Sequence, residues 1–247
     1  MNDCVTAGVA APAGNAPARS TRMRWFEVGL VVFVAFGQPL LSSFYTAFFG
    51  FHNSNAYSVN ARVLLTGIHE LGALLVVWYV LRQSGRTFQS LGIHATLRTF
   101  FVGLVLAAVS RLAFYLAAAV IQVGHWLCFG IYATFPNRAA LYTGGSLAVM
   151  IPFFTLNPFF EETIVRGYLM TELSELSGSM AVATLTSVAI QGAYHLYLGW
   201  FAATCLSASF LVLAVYYART RKLFPVLIAH AIADWWFLFQ LVAAKPH

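Results

Sequence analysis

Long apolar runs with few charges recur along the chain and constrain its fold more than any other feature. A helix needs about 20 apolar residues to cross a hydrocarbon core about 30 Å thick. Because backbone N–H and C=O groups find no water there, each crossing must close its own hydrogen bonds as a helix. We predict an all-α, polytopic membrane helical bundle with about seven transmembrane helices, at 25–48, 61–82, 100–122, 146–170, 181–199, 200–218 and 223–242. An eighth membrane segment is possible in 123–145.

The composition supports a membrane protein and argues against a nucleic-acid partner. Of 247 residues, 60% are hydrophobic and 9% are charged, and the mean hydropathy is +0.75. Although 14 Lys and Arg outnumber 8 Asp and Glu, they are scattered singly rather than gathered on one face. The three cysteines, Cys4, Cys128 and Cys205, have the spacing of neither a disulfide framework nor a metal motif.

The distribution of basic residues predicts the orientation. With a cytoplasmic N-terminus, nine basic residues fall on the inside: Arg19, Arg22, Arg24, Arg82, Arg86, Arg98, Arg219, Arg221 and Lys222. Three fall outside: Arg62, Arg138 and Lys245. This excess favours a cytoplasmic N-terminus. We expect 1–24 to be a disordered cytoplasmic tail, 25–247 to be a single transmembrane domain, and the protein to reside in a bacterial inner membrane.

Two adjacent acids within the fourth run mark a candidate reaction site, since ionisable groups in a membrane segment are expensive. On a helix, Glu161 and Glu162 would project about 100° apart. Glu162 and Arg166 lie one turn apart, with the acid before the base. We therefore expect Glu162 and Arg166 to neutralise each other and to support the site. Glu161 remains as the carboxylate able to take and return a proton.

The dipeptide Asn157–Pro158 precedes these acids and predicts an interruption of the helix. Proline has no N–H to donate and clashes with the preceding turn, which favours a bend or a new helix start. A new start would place both acids in a first turn, close to free backbone amides and a positive dipole end.

Two later runs each contribute a histidine, His195 and His230, and Asp234 follows His230 by one turn. Helices from three runs could bring Glu161, His195, His230 and Asp234 to one polar pocket. Such a pocket could hold and activate a water molecule against an amide carbonyl.

Helix lengths place these groups at different depths. His195 lies about 21 Å along its run, whereas Glu162 and His230 lie about 10–12 Å from the cytoplasmic ends of theirs. We therefore expect the 171–180 segment to carry helix beyond the lipid.

Three short motifs occur in a familiar order: Glu161-Glu162-Thr-Ile-Val-Arg166-Gly167, Gln191-Gly-Ala-Tyr-His195 and His230-Ala-Ile-Ala-Asp234. Together they resemble the signature of the CPBP intramembrane proteases, which include CAAX prenyl endopeptidases and bacteriocin-processing enzymes. The resemblance covers about 150–240, and the protease-like core is expected at 146–242. The second motif departs from the family pattern, since Gln191 stands where the family usually has Phe.

The resemblance implies glutamate-dependent peptide hydrolysis with no required metal or cofactor. Glu161, assisted by His195, would deprotonate a water molecule, and His230 with Asp234 would stabilise the oxyanion. The implied substrate is a membrane-embedded or lipidated peptide. Gln191 could reach the site or bond a neighbouring helix.

Three other functions are compatible with the same residues. Two histidines and several carboxylates could ligate zinc in a metal-dependent hydrolase, although His69 and Glu70 do not form the helical zinc pair because residue 73 is Ala. Buried acids and histidines could instead relay protons in a transporter. A catalytically silent, immunity-type membrane protein is the third alternative.

Overall fold

The computed structural model describes residues 19–49, 58–135 and 138–243. These residues form helices and the turns that join them. Eight α-helices follow one another: α1 Thr21–Phe49, α2 Val59–Gln83, α3 Leu97–Phe129, α4 Leu147–Glu162, α5 Thr171–Ser177, α6 Met180–Tyr194, α7 Trp200–Thr220 and α8 Leu223–Ala243. A π-helical segment, Thr163–Met170, joins α4 to α5. The predicted all-α bundle is confirmed.

Within the described residues, five helices are individually long and apolar enough to cross a membrane, namely α1, α2, α3, α7 and α8. The predicted count of about seven is therefore too high. The run at 181–199 forms only the 15 residues of α6, and the run at 146–170 is divided between α4 and the π-helical segment. In the described part of 123–145, α3 ends at Phe129 and a short 3-10 turn spans Arg138–Tyr142, so no eighth crossing is found there.

The predicted helix restart at Asn157–Pro158 is wrong. Helix α4 passes through Pro152 and Pro158 and ends at Glu162. The irregularity lies one turn further on, where the π-helical segment begins at Thr163. Both acids consequently occupy the last positions of α4, and the chain continues from them without a free N-terminal turn. Single π-turns inside α-helices are frequent at functional sites.

Continuous helix below the acids explains how His195 reaches their level. The path from Glu162 continues through the π-helical segment and α5 to Ser177, which confirms the helix expected just after residue 170. Gly178, in the left-handed conformation at φ 68°, then reverses the chain into α6. Ser177 lies fifteen positions after Glu162, and His195 lies fifteen positions after Met180. The two arms of this hairpin therefore have similar lengths.

Ion pairs join the start of α1 to this hairpin. Glu172 of α5 accepts hydrogen bonds from Arg24 at 2.8 Å and from Arg86 at 2.5 Å. Arg19 pairs with Glu27 at 2.5 Å. The helix begins at Thr21, so the predicted boundary of the tail at residue 24 falls inside α1. Residues 1–18 lie outside the described residues.

Helices α3 and α8 approach closely at Gly103. A Cβ atom added there would lie 2.7 Å from Cβ of Ile228 and 3.1 Å from the Pro225 carbonyl oxygen. Small residues at helix crossings let backbones approach in membranes, where packing rather than the hydrophobic effect drives association. This contact sets the spacing of the two helices just before His230.

The substitution Gly103→Ala should destabilise the bundle, because the added methyl group must push α8 away. We expect a loss of roughly 1–3 kcal/mol in the free energy of unfolding. Gly124→Ala is the matched control in the same helix, since a Cβ there meets nothing within 4 Å. Thermal unfolding in detergent micelles measures both; equal midpoints for the two variants would contradict the tight crossing.

Candidate active site

The carboxylate of Glu162 lies at the centre of a buried polar cluster and has no exposed surface. Its Oε1 atom accepts a hydrogen bond from His230 Nδ1 at 2.7 Å. Its Oε2 atom lies 3.3 Å from Arg166 Nε. Glu162 therefore joins the end of α4 to α8 as well as to the π-helical segment that follows it. The sequence predicts the pair with Arg166 but not the hydrogen bond with His230.

Arg166 is also completely buried, and its guanidinium is held on two further sides by Phe210 of α7. It donates a hydrogen bond to the Phe210 carbonyl at 3.2 Å, and its Cζ atom lies 5.4 Å from the centroid of the Phe210 ring. A guanidinium stacked on an aromatic face and paired with a carboxylate is well suited to a site without water. The ion pair therefore brings α7 into the cluster.

The carboxylate of Glu161 points toward α6 and α8. Gln191 Nε2 donates to Glu161 Oε2 at 2.8 Å and lies 3.5 Å from Glu162 Oε1. His230 Nε2 lies 3.8 Å from Glu161 Oε2. Gln191 thus reaches the site and contacts both acids, which resolves the open question about its role in the second motif. Its amide nitrogen must face the acids, because its oxygen would repel them.

His195 lies directly after α6, where its ring turns back onto the helix. Its Nδ1 atom donates to the carbonyl oxygen of Gln191 at 2.8 Å. Because a carbonyl oxygen can only accept, the neutral ring carries its free lone pair on Nε2. The ring packs against Phe210 at a centroid distance of 5.1 Å and interacts electrostatically with Glu161. No direct hydrogen bond joins it to Glu161 within the described residues.

Asp234 lies one turn beyond His230, as predicted, but the two side chains are 3.8 Å apart at their closest nitrogen and oxygen. The other oxygen of Asp234 accepts a hydrogen bond from Asn157 Nδ2 at 3.1 Å. The hydrogen bond that orients His230 therefore comes from Glu162 and not from Asp234. Sequence reasoning missed Asn157 as a site residue, although its position one turn before the acids was a usable signal.

A cavity of about 120 Å³ opens beside the cluster, between α3, α7 and α8. His195, His230 and Asp234 line it, whereas neither glutamate is part of its wall. The volume is sufficient for several water molecules. A reacting group in this cavity would meet the two imidazoles and Asp234 first, with Glu161 and Glu162 behind them.

The side chains of His69 and Glu70 separate, although they are neighbours in α2. His69 Nε2 donates to the Ala35 carbonyl of α1 at 3.0 Å, which bridges two helices. Glu70 is buried, and one of its oxygens has no hydrogen-bond partner in the described part of the chain. It interacts electrostatically with Glu161 and Asp234, so a fourth carboxyl group belongs to the surroundings of the site.

Three of the side chains could together hold a metal ion. One oxygen each from Glu161 and Glu162 and one nitrogen of His230 lie within 4.8 Å of one another. Carboxylate oxygens and an imidazole nitrogen suit zinc. However, the Arg166 guanidinium is 3.3 Å from Glu162, and His230 already uses Nδ1 to bond that acid. A metal would therefore have to displace a hydrogen bond and bind beside a cation, so these residues fit a metal poorly.

These features define a helical membrane protein with a buried carboxylate and imidazole site. Residues 143–236 match the sequence model of the family described as type II CAAX prenyl endopeptidase Rce1-like. The resemblance predicted from the three motifs is thereby confirmed for this part of the chain. The description names an endopeptidase, so the match supports a membrane protease. No similarity to a curated protein or to a solved structure is found.

Removal of the Arg166 charge should destabilise the protein strongly, because Glu162 would remain buried without its ion-pair partner. We expect Arg166→Met to cost about 3–5 kcal/mol in the free energy of unfolding. The double variant Glu162→Gln with Arg166→Met removes both charges and should recover most of this loss. Thermal unfolding measures all three proteins. A double variant as unstable as the single one would show that the pair is not the cause.

Proposed function

We propose that this protein is an intramembrane glutamic endopeptidase that hydrolyses a peptide bond of a membrane-embedded or lipidated substrate. The observation that carries the proposal is the convergence of Glu161 of α4, His195 at the end of α6 and His230 of α8 beside one cavity, which the two histidines line. Ionisable groups this deep in an apolar bundle are costly, and a structural role would be met by Glu162 and Arg166 alone. The match to an endopeptidase family supports the same reaction.

In the first step, Glu161 acts as the general base toward a water molecule. The water proton moves to the Glu161 carboxylate while the water oxygen forms a bond to the scissile carbonyl carbon. His195 assists through its free Nε2 lone pair, since Nδ1 is committed to the Gln191 carbonyl. Gln191 donates to Glu161 at 2.8 Å and so fixes the direction of that carboxylate.

In the second step, the tetrahedral oxyanion is stabilised by His230, and the peptide bond breaks. His230 bonds Glu162 through Nδ1, which leaves its Nε2–H to face the reacting group when the ring is protonated. Asp234, 3.8 Å from that Nε2, supports the positive charge. Glu161 then returns its proton to the departing amine nitrogen, and the carboxylate is restored.

Glu162, Arg166 and Asn157 are assigned positioning roles in this mechanism. Glu162 orients His230, Arg166 balances the charge of Glu162, and Asn157 orients Asp234. We also propose a bacterial inner membrane as the location, and a cytoplasmic N-terminus on the strength of the basic-residue distribution.

A zinc-dependent hydrolase is the second candidate, because Glu161, Glu162 and His230 could ligate a metal. In that case the metal would supply the polarised water and Glu161 would act as a ligand. The poor fit of the ligand set beside Arg166 favours the metal-free reaction.

The substitution Glu161→Gln should lower kcat for cleavage of a membrane peptide by about 10²- to 10⁴-fold, the usual contribution of a general base. The side chain keeps its size, and folding should be retained. Glu175→Gln is the matched control, since Glu175 is half exposed on α5, and it should cleave normally. Turnover by purified protein in detergent measures both; full activity of Glu161→Gln would reject the assignment.

Metal removal should leave cleavage unchanged if no metal takes part. Purified protein is dialysed against a zinc chelator and assayed with the same peptide, alongside a sample to which zinc is restored. We expect equal rates, since a carboxylate base needs no metal-bound water. Loss of activity on chelation with recovery on addition of zinc alone would instead establish the metal-dependent reaction.

A further inference from the structure

Two arginines line the cavity next to the proposed reaction site, and the mechanism uses neither. Arg111 of α3 and Arg138 of the turn after α3 share the cavity wall with His195, His230 and Asp234. Cations are rare inside apolar bundles and usually face a partner or a pathway for a polar ligand.

Arg111 is placed where its charge cannot easily reach either end of its helix. It is about 21 Å from the start of α3 and about 27 Å from its end, at 1.5 Å per residue. Within the described residues its guanidinium has no hydrogen bond and no carboxylate partner, and its contact is the Phe114 ring, 5.7 Å from Cζ. No described contact therefore neutralises the charge of Arg111.

Arg138 is held in place by an aromatic ring. Its Cζ atom lies 4.6 Å from the centroid of Phe237 in α8, and its Nε atom is buried without a hydrogen-bond partner in the described part of the chain. A guanidinium that stacks on an aromatic ring can still donate hydrogen bonds from the N–H groups in its own plane. Arg138 is therefore positioned to donate hydrogen bonds to a planar anion.

The charges in the cavity wall do not balance. Other arginines of the bundle, such as Arg24, Arg86 and Arg166, have glutamate partners. Among the described residues that line this cavity, Asp234 is the one acid, and it already accepts a hydrogen bond from Asn157. Two guanidiniums thus face one committed carboxylate, which favours an additional anion in the cavity.

We propose that Arg111 and Arg138 form a subsite for a carboxylate of the peptide substrate. This inference rests on the proposed protease function. Guanidinium groups bind carboxylates through paired, charge-assisted hydrogen bonds, which give geometric selection as well as affinity. The carboxylate could be the chain terminus of the substrate or an acidic side chain near the cleaved bond.

The extent of the cavity limits where this carboxylate can be. Residues from His230 to Gln240 of α8 line it, a length of about 15 Å along the helix. An extended peptide advances about 3.3 Å per residue. The carboxylate therefore lies within about four residues of the scissile bond.

The test compares three forms of one cleaved membrane peptide: a C-terminal acid, the same peptide as a C-terminal amide, and the amide with glutamate as its last residue. The wild-type protein should cleave the amide with a kcat/KM roughly 10- to 100-fold lower than that for the acid. This ratio corresponds to the loss of one charge-assisted hydrogen bond. Arg111→Gln and Arg138→Gln should each reduce this preference, mainly through KM. Arg98→Gln, in the exposed first turn of the same helix, should preserve it. Arg111→Lys keeps the positive charge but lacks the paired N–H groups of a guanidinium, so its preference for the acid should be intermediate.

Equal cleavage of acid and amide by the wild type overturns the subsite, as does an acid preference that survives both arginine substitutions. Recovery by the glutamate-ended amide assigns the subsite to side chains, and failure to recover assigns it to chain termini.

Binding to the inactive Glu161→Gln protein separates this inference from the proposed function. Fluorescence anisotropy of the labelled peptides, with and without Arg111→Gln, reports the acid preference without any turnover. A preference that depends on Arg111 supports the subsite even if no cleavage occurs, and the absence of a preference rejects it even if cleavage does.

Discussion

The buried carboxylate of Glu162 is the contact on which the rest of the site depends. It bonds His230 at 2.7 Å and pairs with Arg166 at 3.3 Å, and Arg166 in turn bonds Phe210. Helices α4, α7 and α8 are joined through this single acid. A buried charge of this kind is tolerable because a cation and a hydrogen-bond donor lie beside it. Its removal would leave Arg166 without a carboxylate partner and His230 without its 2.7 Å hydrogen bond.

The division of labour between the two acids follows from this arrangement. Glu162 contacts Arg166 and His230 directly, whereas the hydrogen bond to Glu161 comes from the neutral donor Gln191. The π-helical segment begins immediately after the two acids. The cavity then places the imidazoles between the carboxylates and any entering peptide. In the proposed function, hydrolysis and substrate selection would therefore take place in neighbouring parts of one polar space.

Much of the architecture could be predicted from the sequence, because the bilayer permits little besides apolar helices of sufficient length. The five long spans follow from hydropathy alone, and motif spacing indicated that acids and histidines would meet. The continuity of α4 through Pro158 could not be predicted from local sequence, because α4 packs against both α2 and α8 and tertiary packing can offset the one hydrogen bond that a proline removes. Nor could the partner of His230 be predicted. Glu162 and Asp234 lie on different helices, and which of them reaches His230 depends on how α4 and α8 pack, which local spacing does not encode.

A double-mutant cycle between Glu162 and His230 tests the central claim most directly. The free energy of unfolding is measured for wild type, Glu162→Gln, His230→Ala and the double variant in the same detergent. If the two side chains share a buried hydrogen bond, their effects should be non-additive by about 1–3 kcal/mol. Additivity to within about 0.3–0.5 kcal/mol would contradict the account, since independent residues behave in that way.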